Sequence, residues 1–481
     1  MSGVERPLAT AAGISPPVPD SFAVHNPARP DEVVGWAPVS DAAAGREAIS
    51  AAVAEHRQWA ALTPADRLKL LQDATAFGDD VVAARAELLT RENGKVIGDA
   101  RGECRTMGGK VSEAAGYLTA LDPRDSRDDA ERVVELRKPF GVVVVIVPSN
   151  WPVGLTSSHL IPALLAGNTV VVKLPGECPL AAAQTLAAMR DRLPDGVLHA
   201  LTGYDDDLTR ALLQDPRVGG VGFTGSVATA VRITQTIEDV KRLVFELGGN
   251  DAAIVCADAD LSDVMIDRMA RSALRTSGQF CVAIKRVYVH RTRYDELRSK
   301  LAARFEQEVV GDGRCDGVTL GPLISARARD YAGSLVAGAR AAGAQVLELG
   351  SMRGIDAIED GYFVRPTLVF GAAQDSELVS VEQFAPVLPV LSVDSDAQAV
   401  EWANQSRYGL SGSVWSESQE HALEVAARLD SGSVLVNSTR VVANPWRLPF
   451  GGAKQSGVGR LGPLAGLLSY SEPQHNVAMH G

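Results

Sequence analysis

The stretch Val142-Val143-Val144-Val145-Ile146-Val147, followed by Pro148-Ser149-Asn150-Trp151-Pro152, decides the fold class. An unbroken β-branched run suits a strand covered on both faces, as in a parallel sheet. Working outward, the pattern repeats. Further strands are expected at 169–174, 197–201, 218–223 and 241–246, with helices at about 154–166, 179–192, 205–214 and 226–237. Such alternation predicts a parallel sheet with helices on both sides. After Gly248-Gly249 a second series begins: strand 252–256, helix 260–276, strand 286–290, helix 293–309, continuing to about Asn437. Upstream, Arg132-Val133-Val134-Glu135-Leu136 reads as a strand that stops before Pro139. Before it lie helical patterns at 44–61 and 64–91, the latter opened by Thr63-Pro64, a cap and a proline at the first helical position. The first twenty or so residues, rich in Pro, Ala and Ser, read as a loose arm.

The bulk numbers narrow the function. At 481 residues the chain exceeds one small core, so two or three domains are expected. A net charge of −12 disfavours nucleic acid and anionic membranes, and 5% aromatics leaves few platforms for stacking bases. No stretch approaches 18 uncharged apolar residues, and the N-terminus lacks the pattern of a signal peptide. The five cysteines (Cys104, Cys178, Cys256, Cys281 and Cys315) are odd in number and widely spaced, with no CxxC, which reads as reduced thiols in a cytoplasm. The eight histidines form neither HxxxH nor HExxH, so no metal site is expected.

Two residues stand out chemically. Cys281 closes Gly278-Gln279-Phe280-Cys281, and Glu246 ends a strand in Phe245-Glu246-Leu247-Gly248-Gly249. A cysteine that holds an acyl group as a thioester and a carboxylate that activates water against it are what aldehyde oxidation requires. Taken alone, an isolated cysteine is more often a small buried hydrophobe. The strand ends add weight. Asn150 follows one strand, Lys173 ends the next, Phe223-Thr224-Gly225-Ser226 ends a third and opens a helix, and Glu246 ends a fourth. Ligands of such folds sit beyond the carboxyl ends of the strands, and a helix N-terminus offers unpaired N–H groups to phosphate. The sequence Gly457-Val458-Gly459-Arg460-Leu461-Gly462 matches GxGxxG but follows a glycine-rich loop, not a buried strand, so it is set aside as a dinucleotide fingerprint.

Across nearly its whole length the chain resembles the aldehyde dehydrogenase superfamily. The resemblance rests on motifs in family order: Pro139-Phe140-Gly141-Val142, Pro148 to Pro152, Gly167 to Lys173, Phe223 to Ser226, Glu246 to Gly249, and Gly278 to Cys281. Gly321-Pro322-Leu323, Glu382-Gln383-Phe384, Asn404 through Leu410, and Pro449-Phe450-Gly451-Gly452 through Gly457 complete it. It implies Cys281 as nucleophile, the Asn150 amide with the Cys281 backbone N–H as oxyanion hole, and Glu246 as general base. It implies NAD or NADP as cofactor, held by Lys173 at the adenosine ribose, Gly225 and Ser226 at the pyrophosphate, and Glu382 at the nicotinamide ribose, with Phe384 packing nearby. Trp151, Phe450 and the loop from Ser438 to Leu448 would line the aldehyde tunnel. Within that loop Arg440 is a candidate for a substrate carboxylate, although solvent exposure or pairing with an acid is the more ordinary expectation for it.

The implied architecture is a Rossmann-like NAD(P)-binding domain at 1–120 and 139–247, a catalytic α/β domain at 248–464, and a small β oligomerisation element at 121–138 and 465–481. A tail of this kind would add a strand to a neighbour's sheet, giving a homodimer or homotetramer. The implied reaction is NAD(P)+-dependent oxidation of an aldehyde to its acid. Two alternatives are a CoA-acylating enzyme, which generally lacks a glutamate at the Glu246 position, and a non-catalytic relative, which would not need Cys281, Glu246 and Asn150 together. Departures from the family pattern also occur. Gly176 stands where many NAD-preferring members carry a ribose-binding glutamate, and Glu177 comes one residue later. Asn250, Ala385 and Ala230 replace a common lysine and two common glycines, and these are expected to be tolerated.

Overall fold

The computed structural model describes residues 20–204, 206–443 and 447–479. The N-terminal arm expected from the sequence lies almost wholly outside the described residues, as does the middle of the Ser438–Leu448 loop. The run that opened the sequence reading is the central strand of a six-stranded sheet. Its strand order is Gly457–Val458, Arg242–Leu247, Val218–Gly225, Val142–Ile146, Thr169–Lys173 and Leu198–Leu201. All neighbours are parallel except the Gly457–Val458 edge. Val143 and Val145 pack into one core and Val142 and Val144 into another, so both faces are covered. Each buried valine contributes about 1.5–3 kcal/mol relative to an exposed one. The chain leaves the central strand in opposite directions, which opens a crevice beyond the carboxyl ends of Val142–Ile146 and Val218–Gly225.

A seven-stranded second sheet runs Gln345–Glu348, Thr367–Phe370, Val387–Val393, Ile284–His290, Asp251–Val255, Ser411–Trp415 and Ser433–Val436, parallel apart from its first strand. A three-stranded antiparallel sheet joins Arg124–Arg127, Glu131–Pro139 and Ser471–Met479. Within this chain the tail pairs with the chain's own Glu131–Pro139 strand rather than a neighbour's, from Ser471 opposite Pro139 to Met479 opposite Glu131. The tail strand is an edge, exposed from Pro473 onward. The stretch 457–464, expected with the catalytic domain, sits on the first sheet: Gly457 pairs with Glu246, and Leu461 enters the first core.

Local chemistry explains where the elements differ from expectation. The helix expected at 64–91 is two helices, Pro64–Thr75 and Asp79–Asn93, because Ala76-Phe77-Gly78 turns the chain. Gly78 is a poor helix residue, and Phe77 instead packs its ring 4.1 Å from the Arg85 guanidinium. The helix expected at 260–276 spans Asp263–Leu274, and left-handed residues follow it. The one expected at 293–309 ends at Phe305, where a short strand, Val309–Gly311, takes over. Among the described residues no helix is long and apolar enough to cross a membrane.

Candidate active site

The nucleophile candidate sits after an unusual turn. Thr276, Ser277 and Gly278 adopt φ of 51°, 55° and 74° in succession. For the two non-glycine residues this costs on the order of 1–3 kcal/mol each and persists only where neighbours hold it. Ser277 Oγ donates to the Gly321 carbonyl (2.7 Å), and Gln279 Oε1 accepts from the Ile324 N–H (2.9 Å). Gly278 has no alternative, since a Cβ there would lie 2.2 Å from the Ala385 carbonyl oxygen. The turn delivers Cys281 half-buried, accessible to a small reactant. Burial first, and then the nearby carboxyls of Glu382, Asp251 and Glu246, push its thiol well above the ordinary range, and Lys285 opposes them. Burial thus disfavours a thiolate at Cys281.

Glu246 is the penultimate residue of the Arg242–Leu247 strand, 3% exposed, and neither carboxyl oxygen has a hydrogen-bond partner among the described residues. Burial raises its pKa well above the usual carboxylate range, against the pull of Arg460 and Arg440. A buried, unsatisfied carboxyl is costly, and such groups concentrate where a proton must be moved. The Gly451-Gly452 loop closes over it, for a Cβ on Gly451 would lie 2.9 Å from Glu246 Oε1. Asn150 is 7% exposed and donates from Nδ2 to the Gln279 carbonyl at 3.0 Å, which brings its amide to the Cys281 turn. The three residues singled out as catalytic thus converge from three separate segments.

Lys173, Gly225 and Ser226 stand at the carboxyl ends of the first sheet's strands, whereas Glu382 and Phe384 lie just before the Val387–Val393 strand of the second sheet. Lys173 Nζ donates to the Gly203 carbonyl at 3.2 Å. Ser226 caps the Val227–Thr236 helix, accepting from the Thr229 N–H at 3.1 Å, and Gly225 precedes it. Glu382 accepts from the Gly249 N–H at 3.1 Å, and burial lifts its pKa to about 7. Phe384 holds φ at 45° with its ring 5.0 Å from Lys285 Nζ. A helix N-terminus and a cation at the first sheet's edge, with the Glu382 carboxyl reaching Gly249 from the second sheet's side, fit the phosphates and ribose hydroxyls of a dinucleotide.

The substrate candidates hold one surprise. Trp151, 9% exposed, donates from its indole to Thr276 Oγ1 at 3.3 Å and packs its ring 5.2 Å from Phe280. Arg440 does not face solvent. It is 4% exposed, donates from Nε to Ser433 Oγ at 2.9 Å, lies 5.0 Å from the Phe450 ring and feels the charges of Glu246 and Asp251.

Sequence reasoning missed Arg275. Its guanidinium stacks 5.2 Å from the Trp151 ring, pairs with Asp99 at 3.2 Å and reaches the Val441 carbonyl at 3.5 Å, while its buried Nε has no partner among the described residues. It also missed Lys95, Glu103 and Lys285, all buried, none in a motif with a sequence signature.

Residues 15–476 match the aldehyde dehydrogenase family. The chain is 33% identical to a probable succinate-semialdehyde dehydrogenase (NADP+) of Sinorhizobium fredii, over 94% of this chain and 92% of that protein. It is likewise 33% identical to a 3-sulfolactaldehyde dehydrogenase of Pseudomonas putida, with 94% and 92% covered. Among solved structures, an NADP-dependent enzyme of E. coli superposes with a TM-score of 0.90 at 29% identity, covering 96% of this chain and 95% of that one.

Proposed function

The chain belongs to the aldehyde dehydrogenase family, and from that premise we propose that it oxidises an aldehyde bearing a second, anionic group. The reaction class is NAD(P)+-dependent oxidation of an aldehyde to its carboxylic acid. In our reading the Cys281 thiol loses its proton to water as the sulfur attacks the aldehyde carbon, and the Asn150 amide stabilises the resulting oxyanion. In comparable sites one such donor is worth roughly 3 kcal/mol. Lys173, Gly225, Ser226, Glu382 and Phe384 hold the cofactor, which supplies the hydride acceptor when bound. Glu246 then takes a proton from water as it attacks the Cys281 thioester. A base for water leaves no need for CoA as the acyl acceptor.

The anionic substrate rests on Arg275. A guanidinium held against Trp151, paired on one side with Asp99 and with no partner for its Nε among the described residues, suits a carboxylate or sulfonate. The names of the two relatives above point to substrates of the same charge, which supports the reading. The test is NAD(P)H absorbance at 340 nm with a panel of semialdehydes, a sulfonated aldehyde, and neutral aliphatic and aromatic aldehydes. Arg275→Met should lower kcat/KM for the anionic members roughly ten- to a hundredfold, the loss of about 1.5–3 kcal/mol expected for a charge-assisted contact, while sparing the neutral ones. Equal loss on both classes would remove Arg275 from substrate recognition.

Coenzyme choice has its own prediction. A Cβ on Gly176 would lie 2.2 Å from the Tyr204 ring, so Tyr204 occupies the space that a side chain at 176 would need. Burial and the neighbouring Glu177 raise the Tyr204 pKa to about 12, which keeps it neutral. With no carboxylate at 176 to repel a 2′-phosphate, NADP+ should bind. Gly176→Glu alone should weaken both coenzymes, whereas Gly176→Glu with Tyr204→Ala should favour NAD+ over NADP+ by about tenfold. Dissociation constants for the two coenzymes decide the matter. A single Gly176→Glu protein that gains NAD+ selectivity without losing affinity would refute the Tyr204 assignment.

We also infer a cytoplasmic homodimer or homotetramer. All five cysteines are free thiols, and the Ser471–Met479 edge, exposed from Pro473 onward, offers unpaired backbone groups to a second copy. Light scattering that returned the mass of one chain would overturn the oligomer.

A further inference from the structure

Trp151 is the N-cap of the Pro152–Leu165 helix, and it has no side chain able to accept from the first-turn N–H groups. A glutamate from elsewhere does this work. Glu103 Oε1 accepts from the N–H groups of Val153 (2.8 Å) and Gly154 (3.1 Å). Its other oxygen pairs with Lys95, and both side chains are wholly buried. Lys95 Nζ in turn donates to the Asn150 carbonyl at 2.7 Å and sits 4.4 Å from the Trp151 ring. One ion pair therefore grips the helix start, the Trp151 indole and the backbone of Asn150. A second pair of contacts holds the residue before, since Asn93 Nδ2 (2.6 Å) and Cys178 Sγ (3.1 Å) both donate to the Ser149 carbonyl.

We propose that the buried Lys95–Glu103 pair is the positioning device for the Asn150 oxyanion donor. The inference rests on the reading that Asn150 stabilises the oxyanion. Stability alone is a weak reason for such a pair. Charges that lose their water recover that cost only through good geometry, and apolar replacements of both partners are often neutral or stabilising. What apolar replacements lack is an acceptor for the Val153 and Gly154 N–H groups and a donor for the Asn150 carbonyl. Those contacts fix the backbone from 150 to 154. The Asn150 side chain leaves that backbone toward the Cys281 turn, and displacements on the order of 1 Å in such donors are costly to rate. The two partners arise close together, Lys95 just past the Asp79–Asn93 helix and Glu103 on Ile97–Cys104, so the device is one helix–turn–helix pressed beneath the oxyanion loop.

The test is a double-mutant cycle on the full-length enzyme with Glu103→Gln and Asn150→Ala, reading kcat, NAD(P)+ affinity and thermal midpoint. Asn150→Ala alone should lower kcat about a hundredfold or more. Glu103→Gln alone should lower kcat about five- to tenfold with coenzyme affinity unchanged. On the Asn150→Ala background the Glu103 substitution should cost less than twofold, because its effect passes through Asn150. The same factor on both backgrounds would overturn the proposal and leave the pair a structural element. No loss from Asn150→Ala would instead sink the oxyanion reading, and the proposal with it. If Glu103→Gln does not fold, Lys95→Met with Glu103→Leu takes its place in the cycle: kcat should stay depressed at a wild-type thermal midpoint, and wild-type kcat would overturn the proposal.

Discussion

Cys281→Ala should yield a folded protein that binds NAD(P)+ and makes no NAD(P)H from any aldehyde, a fall of at least about 10^4 in kcat, as removal of a covalent nucleophile commonly gives. The expectation follows from the strained turn. Two left-handed non-glycine residues in succession, Thr276 and Ser277, are costly, and the neighbours that hold them fix the chain that presents Cys281. The thiol should also show its environment. Burial and three carboxyls hold it above the ordinary range, so alkylation of the coenzyme-free enzyme by iodoacetamide should be slow at neutral pH and accelerate in alkali. Cys104, Cys178 and Cys256 are buried, which leaves Cys315 as the main competing site, and mass mapping separates the two. Retained oxidation in the alanine variant would refute the nucleophile assignment. Rapid alkylation at pH 6 would show that the thiol is activated in the absence of coenzyme.

The same geometry shows what a sequence can and cannot carry. The Val142–Ile146 strand was legible because β-branched residues buried on both faces leave no polar alternation. Cys281, Glu246 and Asn150 were legible because each sits beside a strand end or a glycine turn that leaves a linear trace. Arg275 was not. It stands six residues before Cys281 and looks like the last basic residue of a helix; only the fold lays it on Trp151 and beside Asp99. Lys95 and Glu103 read as ordinary surface charges at helix ends, and their burial is decided by the Pro152–Leu165 helix, about fifty residues away. Arg440 differs in another way: of solvent exposure or an acidic partner, both ordinary for a charged loop residue, the structure excludes the first, burying it against Phe450 within the field of Glu246 and Asp251. Contacts between distant segments, and the burial they create, leave no local signal.

Glu246→Gln should slow release of the acid by roughly 10^2 to 10^4, the range general-base catalysis supplies, while leaving acylation of Cys281 largely intact. Mixing enzyme, coenzyme and substrate should then give up to one equivalent of NAD(P)H per site in a burst, followed by slow turnover. If hydride transfer is already limiting, the burst disappears but the loss of steady turnover remains. The pH behaviour is more telling. Glu246 acts as a base only when ionised, and its pKa lies well above the ordinary carboxylate range, so wild-type kcat should climb along an ascending limb above that range and flatten in Glu246→Gln. Stability should move the other way. Below the ordinary carboxyl pKa, folded and unfolded chains both carry the proton, and wild type and variant should be equally stable at this site. As pH rises through that value the unfolded form ionises first, and wild-type stability falls until the raised folded pKa is passed. The glutamine never ionises, so at neutral pH and above it should melt higher than wild type, with the difference vanishing near pH 4. A variant that melts lower at neutral pH would mean that the carboxylate is better satisfied than its buried, unpartnered oxygens indicate. Unchanged steady turnover would remove Glu246 from the mechanism.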